Sequence, residues 1–202
     1  MSSNESDEEI ILSYKNGDRE AFKKLIDRYT APLYNFTART AGRNNSPDIV
    51  QEVFIKVWKN IRRFNGTKAG FKTWIFTITK NATTDFLRKS GSASGGKKSI
   101  NFSDLNNPSR SELYNNNNFE ENIPDENLLP DEALQKLEDS QFLNELLEKL
   151  RPAYREVLIL HYQEEMSFEE IGKVLTKPLN TVKSQHRRAI LEMQKIISAS
   201  PL

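Results

Sequence analysis

The sequence predicts an all-α chain of two small helical domains joined by a flexible linker, and three observations carry that prediction. Apolar residues recur at spacings of three and four on both sides of the chain's middle. The middle itself has the composition of a linker and not of a fold. Near the C-terminal end, a short amphipathic segment, a break and a longer segment follow one another as in a helix-turn-helix. The length, 202 residues, suits one domain or two small ones.

Taken in order, Ile10, Ile11 and Tyr14 are separated from Phe22, Leu25, Ile26 and Tyr29 by Gly17-Asp18, so two short helices are expected. Ser46-Pro47-Asp48 then precedes Ile49, Val50, Val53, Phe54, Val57, Trp58 and Ile61, with Ser46 suited to cap and Pro47 to the first turn. A fourth segment, Phe71 to Leu87, holds Trp74, Ile75, Ile78 and Phe86. Its threonines, Thr77, Thr79, Thr83 and Thr84, lower helix propensity, but the period is nearer 3.6 than 2 and predicts helix. Further on, Phe142, Leu143, Leu146, Leu147 and Leu150 form one stripe, and Arg151-Pro152 opens a helix holding Tyr154, Val157, Leu158 and Tyr162. Ser167-Phe168-Glu169-Glu170 is a capping box ahead of Ile171, Val174 and Leu175. Thr176-Lys177-Pro178 ends that short helix, and the last runs from about Leu179 into Ile197 with Val182, His186, Ala189, Ile190 and Met193 inward.

Charge adds function to this outline. The 29 basic and 28 acidic residues leave a net +1, which by itself predicts neither a nucleic-acid partner nor a membrane surface. Residues 1–89 carry +6, residues 90–139 carry −6 and residues 140–202 carry +1. The acidic middle begins Ser90-Gly91-Ser92-Ala93-Ser94-Gly95-Gly96, continues through Asn115 to Asn118 and contains three prolines, and it cannot offset its ordering entropy by burial. The expected division is therefore 1–90, a linker over 91–138, and 139–202. The longest aliphatic run, Val157 to Leu160, is too short to cross a bilayer. The opening MSSNESDEE has no secretory pattern and cysteine is absent, so a cytoplasmic protein without disulfides or thiolate metal sites is expected.

Three sets of residues are candidates for binding. With Val182, His186, Ala189 and Met193 inward, Lys183, Ser184, Arg187 and Arg188 point outward in the first two turns of the last helix, where a recognition helix meets base edges and phosphates. The competing reading is a solvated basic helix packed on its neighbours. Around Trp74 and Phe76, aromatic residues interleave with Lys80, Asn81, Arg88 and Lys89, an inventory that suits unstacked bases. The aromatics also read as core, which leaves Lys80, Asn81, Thr84 and Arg88 as the contacts. Asp48, Gln51 and Glu52 share one side of the third helix and form either a protein-docking patch or a solvated face. Catalysis is not expected. His161 and His186 have no partners at ligand spacing, and no phosphate loop, dinucleotide fingerprint or nucleophile elbow is present. No metal and no cofactor is expected.

The strings SPDIVQEVFIKVWKNIRRFNG, FKTWIFTITKNATTDFLRKS and LRPAYREVLILHYQEEMSFEEIGKVLTKPLNTVKSQHRRAI together resemble the extracytoplasmic-function (ECF) sigma factors, the compact group of the sigma-70 family. The resemblance covers about four-fifths of the chain, in order, with a variable linker where the family has one. It implies sigma region 2 over 1–90 and sigma region 4 over 139–202, with core RNA polymerase and promoter DNA as partners and an anti-sigma factor as a further one. By position it implies that Asp48, Gln51 and Glu52 dock the polymerase clamp. It implies that Lys80, Asn81, Thr84 and Arg88 read the single-stranded downstream promoter element, and that Lys183, Ser184, Arg187 and Arg188 read the upstream element as duplex. The acidic linker, with Asp104, Glu112, Glu120 and Glu121, would thread a basic polymerase channel. Departures occur in the helix-turn-helix. Thr176 and Asn180 stand where the family has glycine, and Gln185 and His186 where Arg and an aliphatic residue are common. His186 is either an inward core residue or a pH-sensitive contact. The alternative function is a stand-alone helix-turn-helix regulator that binds duplex DNA without polymerase.

Overall fold

The computed structural model describes residues 5–90 and 140–199, so the linker expectations, including its acidic residues, lie outside the described residues. The N-terminal part contains α1 (Asp7–Lys15), α2 (Glu20–Ala41), α3 (Ser46–Asn60) and α4 (Phe71–Ser90). The C-terminal part contains α5 (Ser140–Lys149), α6 (Pro152–Leu158), α7 (Phe168–Leu175) and α8 (Leu179–Ala199). A single π turn, Ile159–Gln163, continues α6. The described residues contain no strand, as the all-α expectation requires.

Local chemistry accounts for these elements. Ser6 and Glu9 form a capping box on α1, and Gly17 at φ +109 makes the turn into α2. Helix α2 is far longer than the short helix read from Phe22 to Tyr29, because it runs straight through Pro32. An internal proline costs a helix about 3 kcal/mol. Leu33, Phe36 and Thr37, all buried beyond it, offset that cost by burial. Ser46 does not cap α3. It is the first helical residue, fully buried, and its Oγ donates to the Gly42 carbonyl at 2.9 Å. Trp58, read as part of the apolar run of α3, turns outward and is 56% exposed.

Helix α4 reconciles its threonines with helix by bonding each back to the preceding turn. Thr77 donates to the Thr73 carbonyl at 2.7 Å, Thr79 to Ile75 at 2.8 Å and Thr83 to Thr79 at 2.8 Å. Their methyl groups then pack as core, since all three are buried. Around them Phe36 and Phe76 meet edge-on at 5.8 Å, and Phe64 and Phe71 at 5.5 Å.

In the C-terminal part the expected capping box forms, with Ser167 Oγ accepting from the Glu170 backbone at 3.3 Å and the Glu170 carboxylate accepting from the Ser167 backbone at 2.9 Å. Thr176 takes the left-handed conformation at φ 54 that glycine would adopt more cheaply. Asn180 needs no such conformation, because it lies within the first turn of α8 and not in the tight turn. Gly172 is required by contact: a Cβ there would lie 2.9 Å from the Lys177 carbonyl oxygen. The two parts pack against each other, chiefly α4 on α7, with further contacts from α2 to α5 and α6.

Candidate nucleic-acid interface

The three candidate sets sit on α3, α4 and α8. On α3, Ile49, Val50, Val53 and Val57 face the core, which turns Asp48 and Gln51 to solvent. Glu52 is partly exposed and pairs with Lys56 one turn on at 2.8 Å. The three residues do share one side, as their spacing requires.

On α4, the four candidate contacts are not in equivalent surroundings. Thr84 and Arg88 are exposed and Asn81 is half-buried. Thr84 Oγ1 donates to the Lys80 carbonyl at 2.8 Å, and Arg88 pairs with Asp85 at 3.2 Å. Lys80 is taken: its ammonium donates to the Glu156 carboxylate of α6, across the contact between the two parts. Glu156 is 8% exposed, so the pair is largely removed from water on its acidic side. Burial lowers the nearby Lys177 ammonium below its ordinary value, opposed by Glu156 and reinforced by Lys80.

The same seam is tied at other points. Thr73 Oγ1 donates to Glu170 at 3.3 Å, and Lys72 lies 3.6 Å from the Glu164 carboxylate while donating to the Glu164 carbonyl. Arg39 donates to Asn144 at 3.1 Å and to Gln163. Arg155 donates to Leu147 at 2.7 Å, Glu148 at 2.8 Å and Leu150 at 3.2 Å, and across the seam to Arg39 at 2.8 Å, all backbone carbonyls. Burial raises the Glu164 carboxyl above its ordinary value against the pull of Lys72 and Arg39. For Glu170 burial also acts upward, but the hydrogen bonds from Ser167 and Thr73 prevail and its carboxyl lies below the ordinary value.

On α8, Val182, Ala189, Ile190 and Met193 are buried as expected. Lys183 and Arg188 are exposed, whereas Ser184 and Arg187 are half-buried, so the four do not form one uniformly outward face. Ser184 Oγ donates to the Thr181 carbonyl at 3.1 Å, and the buried Arg187 Nε has no hydrogen-bond partner among the described residues. Counted from Leu179, Arg187 and Arg188 fall in the third turn and not the first two. His186 is half-buried and joins a ring cluster. Its Nε2 is 3.1 Å from the Tyr162 hydroxyl, and its ring lies 5.1 Å from those of His161 and Phe168. Gln185 accepts from Lys177 at 2.9 Å, which fixes the turn to the helix.

Sequence reasoning missed Glu156, Glu164, Arg39 and Arg155. No local signal marks their contacts across the seam, which join residues many positions apart. Glu170 was read as a cap, and its second bond, to Thr73, was equally invisible.

Among the described residues no cluster of three or more His, Asp or Glu side chains is placed to hold a metal, and no helix is long and apolar enough to cross a membrane. Two protein-family models match the chain: Sigma-70 region 2 over residues 25–93, and Sigma-70, region 4, over residues 143–193. The ECF RNA polymerase sigma factor SigW of Bacillus subtilis is 32% identical over 92% of this chain and 93% of its own length. The ECF RNA polymerase sigma-E factor of Haemophilus influenzae is 28% identical over 91% of each. Among solved structures, CnrH in complex with the cytosolic domain of CnrY superposes with a TM-score of 0.63 at 21% identity, over 98% of this chain and 100% of that one. The sigma factor RpoE of Bartonella quintana, in complex with the anti-sigma factor NepR, gives 0.61 at 20% identity, over 90% and 99%. At that identity the structures establish the shared helical fold. The sequence relatives and the two family matches, in the family's order, establish more: this chain belongs to the ECF RNA polymerase sigma factors of the sigma-70 family.

Proposed function

We propose that this sigma factor holds core RNA polymerase through Asp48, Gln51 and Glu52 on α3 and reads two separated promoter elements with two different helices. Lys80, Asn81, Thr84 and Arg88 on α4 take the unpaired bases of the downstream element. Lys183, Ser184, Arg187 and Arg188 on α8 take the upstream element as duplex. Residues 1–90 and 139–202 act as the two binding units and residues 91–138 as the connection. Strand separation is driven by binding, because bases captured on α4 are withdrawn from the stacked duplex. No cofactor or catalytic step is required, and the site of action is the cytoplasm. An anti-sigma factor is a fitting regulator, since the similarly folded sigma factor RpoE of Bartonella quintana is held in complex with one, NepR.

One observation supports this reading over a stand-alone duplex-binding regulator: the pairing of Lys80 with Glu156. A downstream-element contact is engaged by the other half of the same chain, so reading both elements requires the halves to part. Core polymerase supplies the binding energy for that parting, whereas a stand-alone regulator would gain nothing from it. Gel shift separates the two. Specific duplex binding should be weak for the chain alone and appear on addition of core enzyme. Run-off transcription on a genomic promoter library, with Asn81→Ala and Arg188→Ala as controls, checks the outcome. Specific initiation by core enzyme without this protein would refute the assignment.

A further inference from the structure

The outer side of α3 continues past the residues assigned to docking. Gln51, Ile55, Trp58 and Arg62 follow at spacings of four, three and four, which places them in one stripe along the helix and its terminal turn. Ile55 is 46% exposed and Trp58 56%, two large apolar side chains side by side on a surface with a well-filled core behind it. Beyond Trp58 the stripe opens into a cavity of about 800 Å³ at the junction of α1, α2 and α3, lined by Tyr14, Arg19, Phe22, Trp58, Lys59 and Arg62. Its floor is fixed. The Tyr14 and Phe22 rings lie 5.5 Å apart, and Lys15 of α1 donates to the Phe64 carbonyl after α3 at 2.8 Å.

The charge of this face reverses along its length. Asp48 and Glu52 stand at its start, Lys59 and Arg62 at its end with Arg19 opposite them. Among the described residues none of these three cations has a carboxylate partner, and the neighbouring Asp18 is engaged by the Glu20 backbone at 3.0 Å. Acidic-then-basic order also suits the helix dipole, and that accounts for the charges alone. It does not account for the exposed Ile55 and Trp58, nor for a concave wall of aromatic rings. Aromatic and arginine side chains around an apolar centre are the composition of a protein-binding hot spot. A single nucleic-acid strand would also use rings and cations, but its phosphates would be repelled by Asp48 at the other end of the same stripe, where Glu52 is already paired with Lys56.

We propose that the docking surface for core polymerase runs the whole length of α3 and ends in this groove, which takes an acidic segment of the core enzyme. An apolar side chain of that segment covers Ile55 and Trp58, and its carboxylates pair with Arg19, Lys59 and Arg62. The proposal rests on the docking role of Asp48, Gln51 and Glu52 and extends it to a second, oppositely charged contact.

The test is equilibrium binding of the full-length chain to core RNA polymerase at low and high salt. Trp58→Ala should weaken binding about tenfold or more, with its melting curve unchanged because the ring is exposed. Arg19→Glu with Arg62→Glu should weaken it as much at low salt and less at high salt. Asp48→Ala with Gln51→Ala is the companion variant. If that variant binds weakly while the groove variants bind like the parent chain, the groove proposal falls and the docking role of α3 stands. If all of them bind like the parent chain, both fall. A 20-nucleotide oligo(dT) serves as the competing probe. If it quenches tryptophan fluorescence in the parent chain but not in Trp58→Ala, and core binding is indifferent to Trp58→Ala, the groove is a nucleic-acid site and the proposal is overturned.

Discussion

Helices α4 and α8 carry the same inventory of short polar and cationic contacts, yet they are held in opposite ways. Helix α8 is anchored on one side only, and Lys183 and Arg188 already stand in solvent. Helix α4 packs against α7, and its first candidate contact, Lys80, is bonded to Glu156. The difference teaches that exposure of a reading residue is a property of the whole arrangement and not of the helix that carries it. On the proposed roles, two of the four α8 residues already face solvent, whereas Lys80 on α4 becomes available only after the seam opens.

The largest effect should come from the readers themselves. Arg188→Ala should weaken upstream-element binding in the holoenzyme by about 1–3 kcal/mol, and Asn81→Ala should cost initiation a similar amount at the downstream element. If the comparison holds, the first loss appears with closed duplex and the second only when strands separate. A pre-melted bubble template, which should rescue neither contact but remove the melting step, checks the order.

Next is Glu156→Gln, which leaves shape and removes charge. It should loosen the closed arrangement by about 1–2 kcal/mol, because Lys80 retains partial access to water and does not become a stranded charge. Small-angle scattering should then report a larger radius, and the free chain should bind single-stranded downstream-element DNA more tightly. An unchanged radius and unchanged affinity would remove the idea that the seam controls α4. Ser167→Ala should cost about 1 kcal/mol of stability by loss of the α7 cap, read by thermal melting. Thr73→Val, which deletes a single bond to Glu170, should cost about 0.5–1 kcal/mol.

The smallest effect is with pH. Burial raises the Glu164 carboxyl, so its folded form prefers the proton. Its contribution to stability is full below the ordinary value of 4.5 and is lost as pH rises through the raised folded value. The contribution of Glu170, whose carboxyl lies below 4.5, runs the other way: present above the ordinary value and lost as pH falls through the folded one. Melting curves should therefore show the parent chain losing stability relative to Glu164→Gln as pH rises from the ordinary carboxyl value toward neutrality.

The helices were legible because each is written in its own residues: the Ser167–Glu170 capping box, the buried stripe of α3 and the break at Thr176 all act within a few positions. Helix α4 was legible despite its threonines, since back-bonding to the preceding turn is a local device. The length of α2 was not, because whether Pro32 ends a helix depends on what Leu33 and Phe36 find to pack against. Nor was the seam. Lys80 and Glu156 lie 76 positions apart, and a pair at that separation has no periodicity to reveal it. The outward turn of Trp58 was hidden for a related reason, since a tryptophan in an apolar run reads as core until its neighbours have filled the interior.

Arg155 gives the parting of the two halves its physical character. Three of its four carbonyl acceptors, at Leu147, Glu148 and Leu150, belong to the end of α5 on its own side, and one, at Arg39, belongs to the other. In the proposed separation the guanidinium would keep the three and exchange the fourth for water, so the end of α5 stays satisfied. On the proposed parting of the halves, the expected motion is therefore a hinge between intact helical units, a class of motion that runs in about microseconds to milliseconds, and it requires no refolding of either unit.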